Sequence, residues 1–162
     1  MKYAIFYQDN SNALKKIAAY LNEKLWDSKV FSLEKNLDEI VAENYIVLIH
    51  TNTAVVPAVS LLLIEESICN NIYVCCTNCF DISDDYRRVL SKQIEPFVPD
   101  KTEFNGVFLC YEELPQEILN QVEAVSEYDP DNPNISTLKS KYKDAYGHPD
   151  NSDLENILRF IL

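Results

Sequence analysis

Glycine is nearly missing from this chain: its 162 residues contain two, Gly106 and Gly147, where ordinary usage is about 7%. A backbone that wraps closely around a phosphate or turns through positive φ relies on glycine, so any such wrap elsewhere must be built from other residue types. Long apolar runs are missing as well. No stretch approaches the ~18 residues that a membrane span requires, and the chain opens on a strand-like segment with no basic stretch or small-residue cleavage site, so a cytoplasmic protein is expected. Histidine is scarce, with two residues, and no Ser/His/Asp set or metal cluster argues for hydrolysis. Basic residues are few: 14 stand against 26 acidic ones, for a formal net charge of -12. That balance repels phosphate backbones and anionic bilayers, so neither nucleic acid nor a membrane is an expected partner.

What is present is ordinary for a globular protein, with 47% hydrophobic and 25% charged residues. A chain of this length fits one domain, 1–162, and buries roughly 70% of the surface its unfolded form exposes. It needs no staples, and the odd count of five cysteines fits reduced thiols better than a disulfide framework.

Strand-like and helix-like segments alternate along the chain. Lys2 to Tyr7 is a β-branched and aromatic run, followed by the polar cluster Gln8 to Asn12 and a helical stripe of Leu14, Ile17, Ala18, Leu21 and Leu25. A second strand is expected over Lys29 to Leu33, then a helical or irregular stretch from Leu37 to Glu43, then the nearly all-apolar run Tyr45 to His50, as suits a strand covered on both faces. Helical patterns follow from Pro57 to Cys69, Ile82 to Ile94, Leu114 to Ser126, Ile135 to Ala145 and Asn151 to Phe160, with strands at Ile72 to Cys76 and Phe104 to Cys110. Such alternation implies right-handed crossovers and a parallel sheet.

The run Gly147-His148-Pro149-Asp150-Asn151-Ser152-Asp153-Leu154-Glu155-Asn156, ending in Arg159-Phe160, resembles the entry to the last helix of bacterial flavodoxin-family proteins. Its chemistry is local: Asp150 or Ser152 can accept from the unpaired amides at a helix start. Phe6-Tyr7 with its polar loop and Lys15-Lys16-Ile17-Ala18 is similar to that family's first strand, phosphate loop and first helix. Asp38-Glu39 to Ile49 is similar to the approach to its third strand, and Phe104 to Cys110 to its fifth. The resemblance implies an α/β flavodoxin-like three-layer sandwich, with a five-stranded parallel sheet of order 2-1-3-4-5 and helices on both faces.

It also implies FMN as the cofactor, bound where the strand order reverses. Three loops would hold it. In the first, the family's hydroxyl, any residue, Thr, Gly, Asn, Thr corresponds to Gln8, Asp9, Asn10, Ser11, Asn12 and Ala13: Asn12 is kept, Ser11 replaces the glycine, and Asn10 and Ala13 replace the threonines. In the second, Thr51, Asn52, Thr53 and Ala54 would face the flavin ring edge, with no aromatic among Thr51 to Val56 to stack on it. In the third, Thr77, Asn78, Cys79 and Phe80 would line the other side, Phe80 as the stacking aromatic.

Cys76-Thr77-Asn78-Cys79 forms a C-x-x-C preceded by Cys75. It is readable as small buried strand residues, as a redox pair, or as half a zinc site needing Cys110 or Cys69; Cys79 and Cys110 would approach if strands four and five are neighbours. His50 reads as the polar end of a buried strand. Asp81, Asp84, Asp85, Glu112 and Glu113 would form an acidic rim suited to a basic redox partner. Three functions stay open: an FMN electron carrier, a flavodoxin-fold binding or regulatory protein that has lost FMN, and an FMN-dependent NAD(P)H reductase.

Overall fold

The computed structural model describes residues 1–35 and 39–162. Its elements in order are β1 (Tyr3–Tyr7), α1 (Asn12–Lys24), β2 (Ser28–Ser32), β3 (Asn44–His50), α2 (Ala58–Glu65), β4 (Asn71–Asn78), α3 (Asp84–Ile94), β5 (Glu103–Tyr111), α4 (Gln116–Tyr128), α5 (Pro133–Ala145) and α6 (Asn151–Ile161). All strand pairs are parallel, in the order β2-β1-β3-β4-β5, the sheet expected of a flavodoxin-like α/β fold.

The period of two along each strand separates two cores. Ile5, Ile46, Leu48 and Cys75 face α1 and α6, where Leu14, Ile17, Leu21, Leu154 and Ile157 meet them. Phe6, Val47, Ile49, Val74 and Cys76 face the other way, onto Ile64 of α2 and Leu90 and Ile94 of α3. The α1 stripe lies where the sequence pattern puts it: Leu14, Ile17, Ala18, Leu21 and Leu25 are all buried. Truncating one of these large side chains to alanine removes burial and leaves a void, at a cost of about 2–5 kcal/mol.

Several boundaries differ from the sequence reading. The helix expected from Pro57 to Cys69 stops at Glu65, because the chain then turns to form an isolated parallel bridge between Ile68 and Val41. Pro57 precedes the first helical residue instead of occupying it. Of the stretch Leu37 to Glu43, 37 and 38 lie outside the described residues, and 39–43 are not helical. Strand β4 runs on to Asn78, so Thr77 and Asn78 are strand residues and not loop residues. Their backbones stay paired with β5 as far as Asn78 opposite Tyr111, which is enough to hold the strand extended.

The helices α4 and α5 form a hairpin between β5 and α6. Gly106 sits at a register shift of the sheet, opposite the step from Ile72 to Val74 of β4, with φ of 94°. A bulge that turns through positive φ is a position glycine tolerates at no steric cost. No helix among the described residues is long and apolar enough to cross a membrane.

Candidate functional site

The same period of two that fills the cores brings polar residues together at the C-terminal ends of the strands. Continuing from Leu48 leads to His50, from Cys75 to Thr77, and from Cys110 to Glu112, all on the α1 side of the sheet. His50 pairs with Thr77, and Thr77 with Cys110, in the ladder. The amide of Glu112 extends the pairing by donating to the Asn78 carbonyl at 2.9 Å. On that side stands the head of α1, capped by Ser11, whose Oγ accepts from the Leu14 amide.

These four side chains meet at the Glu112 carboxylate. Ser11 Oγ donates to Oε1 at 2.7 Å, Thr77 Oγ1 donates to Oε2 at 2.8 Å, and His50 Nδ1 lies 2.5 Å from Oε2. The Glu112 side chain is 15% exposed. Burial pushes its pKa up, but the bonds from His50, Ser11 and Thr77 and the charge of His50 outweigh that, and the net direction is downward. Glu112 therefore stays ionised near neutral pH. Since an ionised carboxylate only accepts, the hydrogen between His50 and Glu112 resides on Nδ1.

Gln8 does not face outward. It is buried, and its Oε1 accepts from the His50 amide at 2.9 Å, tying the end of β1 to the end of β3. Asp9 turns to β2, where its Oδ2 accepts from Ser32 Oγ at 2.5 Å; that bond is the main reason its pKa is lowered. Asn12 and Ala13 belong to the first turn of α1. Together with Asn10, Ser11, Lys16, Glu112 and His148 they line a cleft of about 520 Å³. The structure thus brings Asn10 to Ala13 together on one opening, with Gln8 set behind it.

The second and third loops are clasped to each other. Asn52 Oδ1 accepts from the Cys79 amide at 2.9 Å, and Thr51 Oγ1 accepts from the amides of Thr53 and Val55 at 3.3 and 3.4 Å. Ala54 holds φ at 56°, fixed by side chains of α3. Its amide donates to Tyr86 Oη at 3.0 Å, its carbonyl accepts from Gln93 Nε2 at 2.6 Å, and Tyr86 Oη donates to the Thr51 carbonyl at 2.6 Å. Asn78 is fully buried; its Oδ1 accepts from the amides of Phe80 and Asp81. Phe80 is half-buried at that turn.

The cysteines separate. All five are free thiols. Cys79 lies beside Asn52 and the Glu113 carbonyl, whereas Cys110 lies beside Asp153 of α6, so the two thiols have different neighbours. Burial raises every thiol, Cys76 to about 12 and Cys79 to about 11. Among the described residues the one group of potential metal ligands is His148, Asp150 and Asp153, with no cysteine in it. Its atoms serve the helix entry. Asp150 and Asp153 form a reciprocal capping box at the start of α6, and His148 Nδ1 lies 2.6 Å from Asp153 Oδ2.

A family model described as a flavodoxin domain matches residues 4–162. The chain belongs to the flavodoxin-domain family. A search of curated proteins finds no match. Members of this family usually bind flavin, and the three expected loops do lie together at the C-terminal edge of the sheet, where the order reverses from β1 to β3. Of the expected acidic rim, Glu112 points inward to Ser11, Thr77 and His50, whereas Asp84, Asp85 and Glu113 are exposed, Glu113 with its Oε1 accepting from the Gly147 amide at 2.7 Å. The sequence marks His50 as the polar end of a buried strand but not its bond to Glu112, and nothing in it singles out Tyr86 or Gln93. For His50 and Glu112 the signal was present, since counting by twos from the buried strand residues puts both on the α1 face.

Proposed function

We propose that this flavodoxin-fold protein works without FMN, as a cytoplasmic binding or regulatory protein, and not as an electron carrier. The observation that carries this reading is the clasp between the two loops that would sandwich a flavin ring. A ring stacked between them needs a slot and a flat aromatic wall. Here Asn52 bonds directly to the backbone of Cys79, and Thr51 to Val56 contains no aromatic residue.

The phosphate end supports the same reading. A phosphate loop needs successive backbone amides converging on the anion, which small or glycine residues permit. Both glycines of this chain serve elsewhere, at the β5 bulge and before α6, and the Ser11 hydroxyl is already given to a carboxylate. The residues present do not fit FMN, so no redox step is assigned. Free thiols in all five cysteines suit a reducing cytoplasm. The exposed acids of α4 and the turn after it, including Glu117, Glu123, Glu127, Asp129 and Asp131, favour a partner with a basic face.

The test is a titration of the purified chain with FMN, following flavin fluorescence. No quenching is expected up to about tens of micromolar, the range of weak sites. Stoichiometric quenching, or a yellow preparation, overturns the reading and restores the electron carrier.

A further inference from the structure

We infer that Glu112 is an internal anion seated where a ligand phosphate would bind, and that it sets this site against phosphate monoesters. The inference deepens the FMN-free reading and rests on it.

A phosphate at the head of a helix is held by hydroxyl donors and by the first amides of the helix, which have no intrahelical partner. The head of α1 offers the Ser11 hydroxyl, with Thr77 and His50 beside it from β4 and β3. All three donors point at one carboxylate, at 2.7, 2.8 and 2.5 Å. Carboxylate and phosphate ask for the same partners, and a carboxylate anchored to the fold needs no diffusing ligand to complete the set. Glu112 forms part of the wall of the cleft lined by Asn10, Ser11, Asn12 and Ala13. A phosphate entering that cleft would meet the first amides of α1 and Lys16, but the hydroxyl and imidazole donors beside them are already bonded to a fixed negative charge. Ser11, Thr77 and His50 are not themselves hostile to anions; Glu112, just beyond β5, takes all three as its own partners, in a cleft wall that also carries Glu113, bonded to the Gly147 amide, and Lys16, bonded to the Pro149 carbonyl.

Removing the carboxylate should therefore release an anion site that the wild-type chain conceals. The full chain and its Glu112→Ala and Glu112→Gln variants are each titrated with inorganic phosphate, and in a second arm with FMN. The readout is the amide resonances of Asn12 and Ala13 in proton–nitrogen correlation spectra, and the spectrum itself reports folding. Saturable shifts are expected in the alanine variant, at an affinity at least about tenfold above the wild type, with a smaller response from the neutral but bulkier glutamine. If only the glutamine variant folds, its response decides. Folded variants that give no saturable shift overturn the inference, as does a wild-type chain that responds to phosphate as strongly as they do. Response to phosphate without response to FMN in the variants still supports the inference, because the clasped second and third loops exclude the ring. The two readings fail separately: a wild-type chain that binds FMN removes the proposed function, whereas a wild-type chain blind to FMN with folded variants blind to phosphate removes only the role given to Glu112.

Discussion

Ser11, at the head of α1, and Glu112, one residue beyond β5, stand 101 positions apart in the chain and 2.7 Å apart through their side-chain oxygens. The bond joins the first crossover of the fold to the last strand, across the ends of β3 and β4. Glu112 is therefore a structural tie as well as a charge.

That tie makes stability depend on pH in a defined direction. The folded-state pKa of Glu112 lies below the ordinary glutamate value of 4.5, so its contribution is fully present above that value and is lost as pH falls through the folded pKa. Denaturant melts between neutral pH and about pH 3 should show stability falling on the acid side, below the ordinary glutamate pKa. Asp9, Asp81 and Asp150 are also lowered by hydrogen bonds, so Glu112→Gln should flatten the acid slope without abolishing it. An unchanged slope in that variant would show that Glu112 is not ionised in the folded protein.

Tyr86 holds the second loop from α3 with one oxygen that both accepts from Ala54 and donates to Thr51. Tyr86→Phe removes both bonds and leaves two half-buried backbone groups to find water. A loss of about 1–3 kcal/mol is expected, measured by chemical denaturation, with the chemical-shift changes confined to residues around Thr51 to Val56. A loss near zero would mean that Gln93 alone holds the loop.

The α1 face, the doubly covered β3 and the α6 entry were legible because each rests on local pattern: the stripe of α1, the apolar run of β3, and the Asp150 cap; the strand order was legible only through the resemblance to the flavodoxin family. The site was legible only in outline. Loop positions follow from strand order, so Asn10 to Ala13 fall together as expected, but whether a polar side chain faces out or in is decided by contacts far along the chain. Gln8 finds the His50 amide 42 positions away, and Glu112 finds Ser11. Neither spacing carries a motif. The helix end at Glu65 was hidden for a similar reason, since the Ile68 to Val41 bridge competes with continuing the helix and leaves no composition signal.

Thiol reactivity offers a test of burial. The thiolate is the nucleophile, and burial raises the pKa of all five cysteines, with Cys69 alone not fully buried. Labelling with a thiol-reactive disulfide at neutral pH should be slow in the native protein, begin at Cys69, and reach all five only on unfolding. Rapid native labelling of Cys76 and Cys79 as a pair would revive the redox reading of the C-x-x-C.

Ala54 and Gly106 hold positive φ with opposite side-chain costs, and they should respond to substitution with opposite signs. Alanine at φ of 56° sits in a region that costs an L-residue roughly 1–2 kcal/mol. Glycine removes that strain but gains more freedom in the unfolded chain, so Ala54→Gly should raise stability by a net of about 0.5 kcal/mol. At Gly106, with φ of 94°, a Cβ would meet nothing within 4 Å, so Gly106→Ala is opposed by backbone conformation and not by crowding. It should lower stability by about 1 kcal/mol or more, read from the same denaturation curves. Equal and small effects at both positions would mean that the bulge and the second loop relax freely. Opposite signs would show that this chain has placed one of its two glycines where the fold needs it and accepts strain at Ala54, where the bonds from Tyr86 and Gln93 hold the turn.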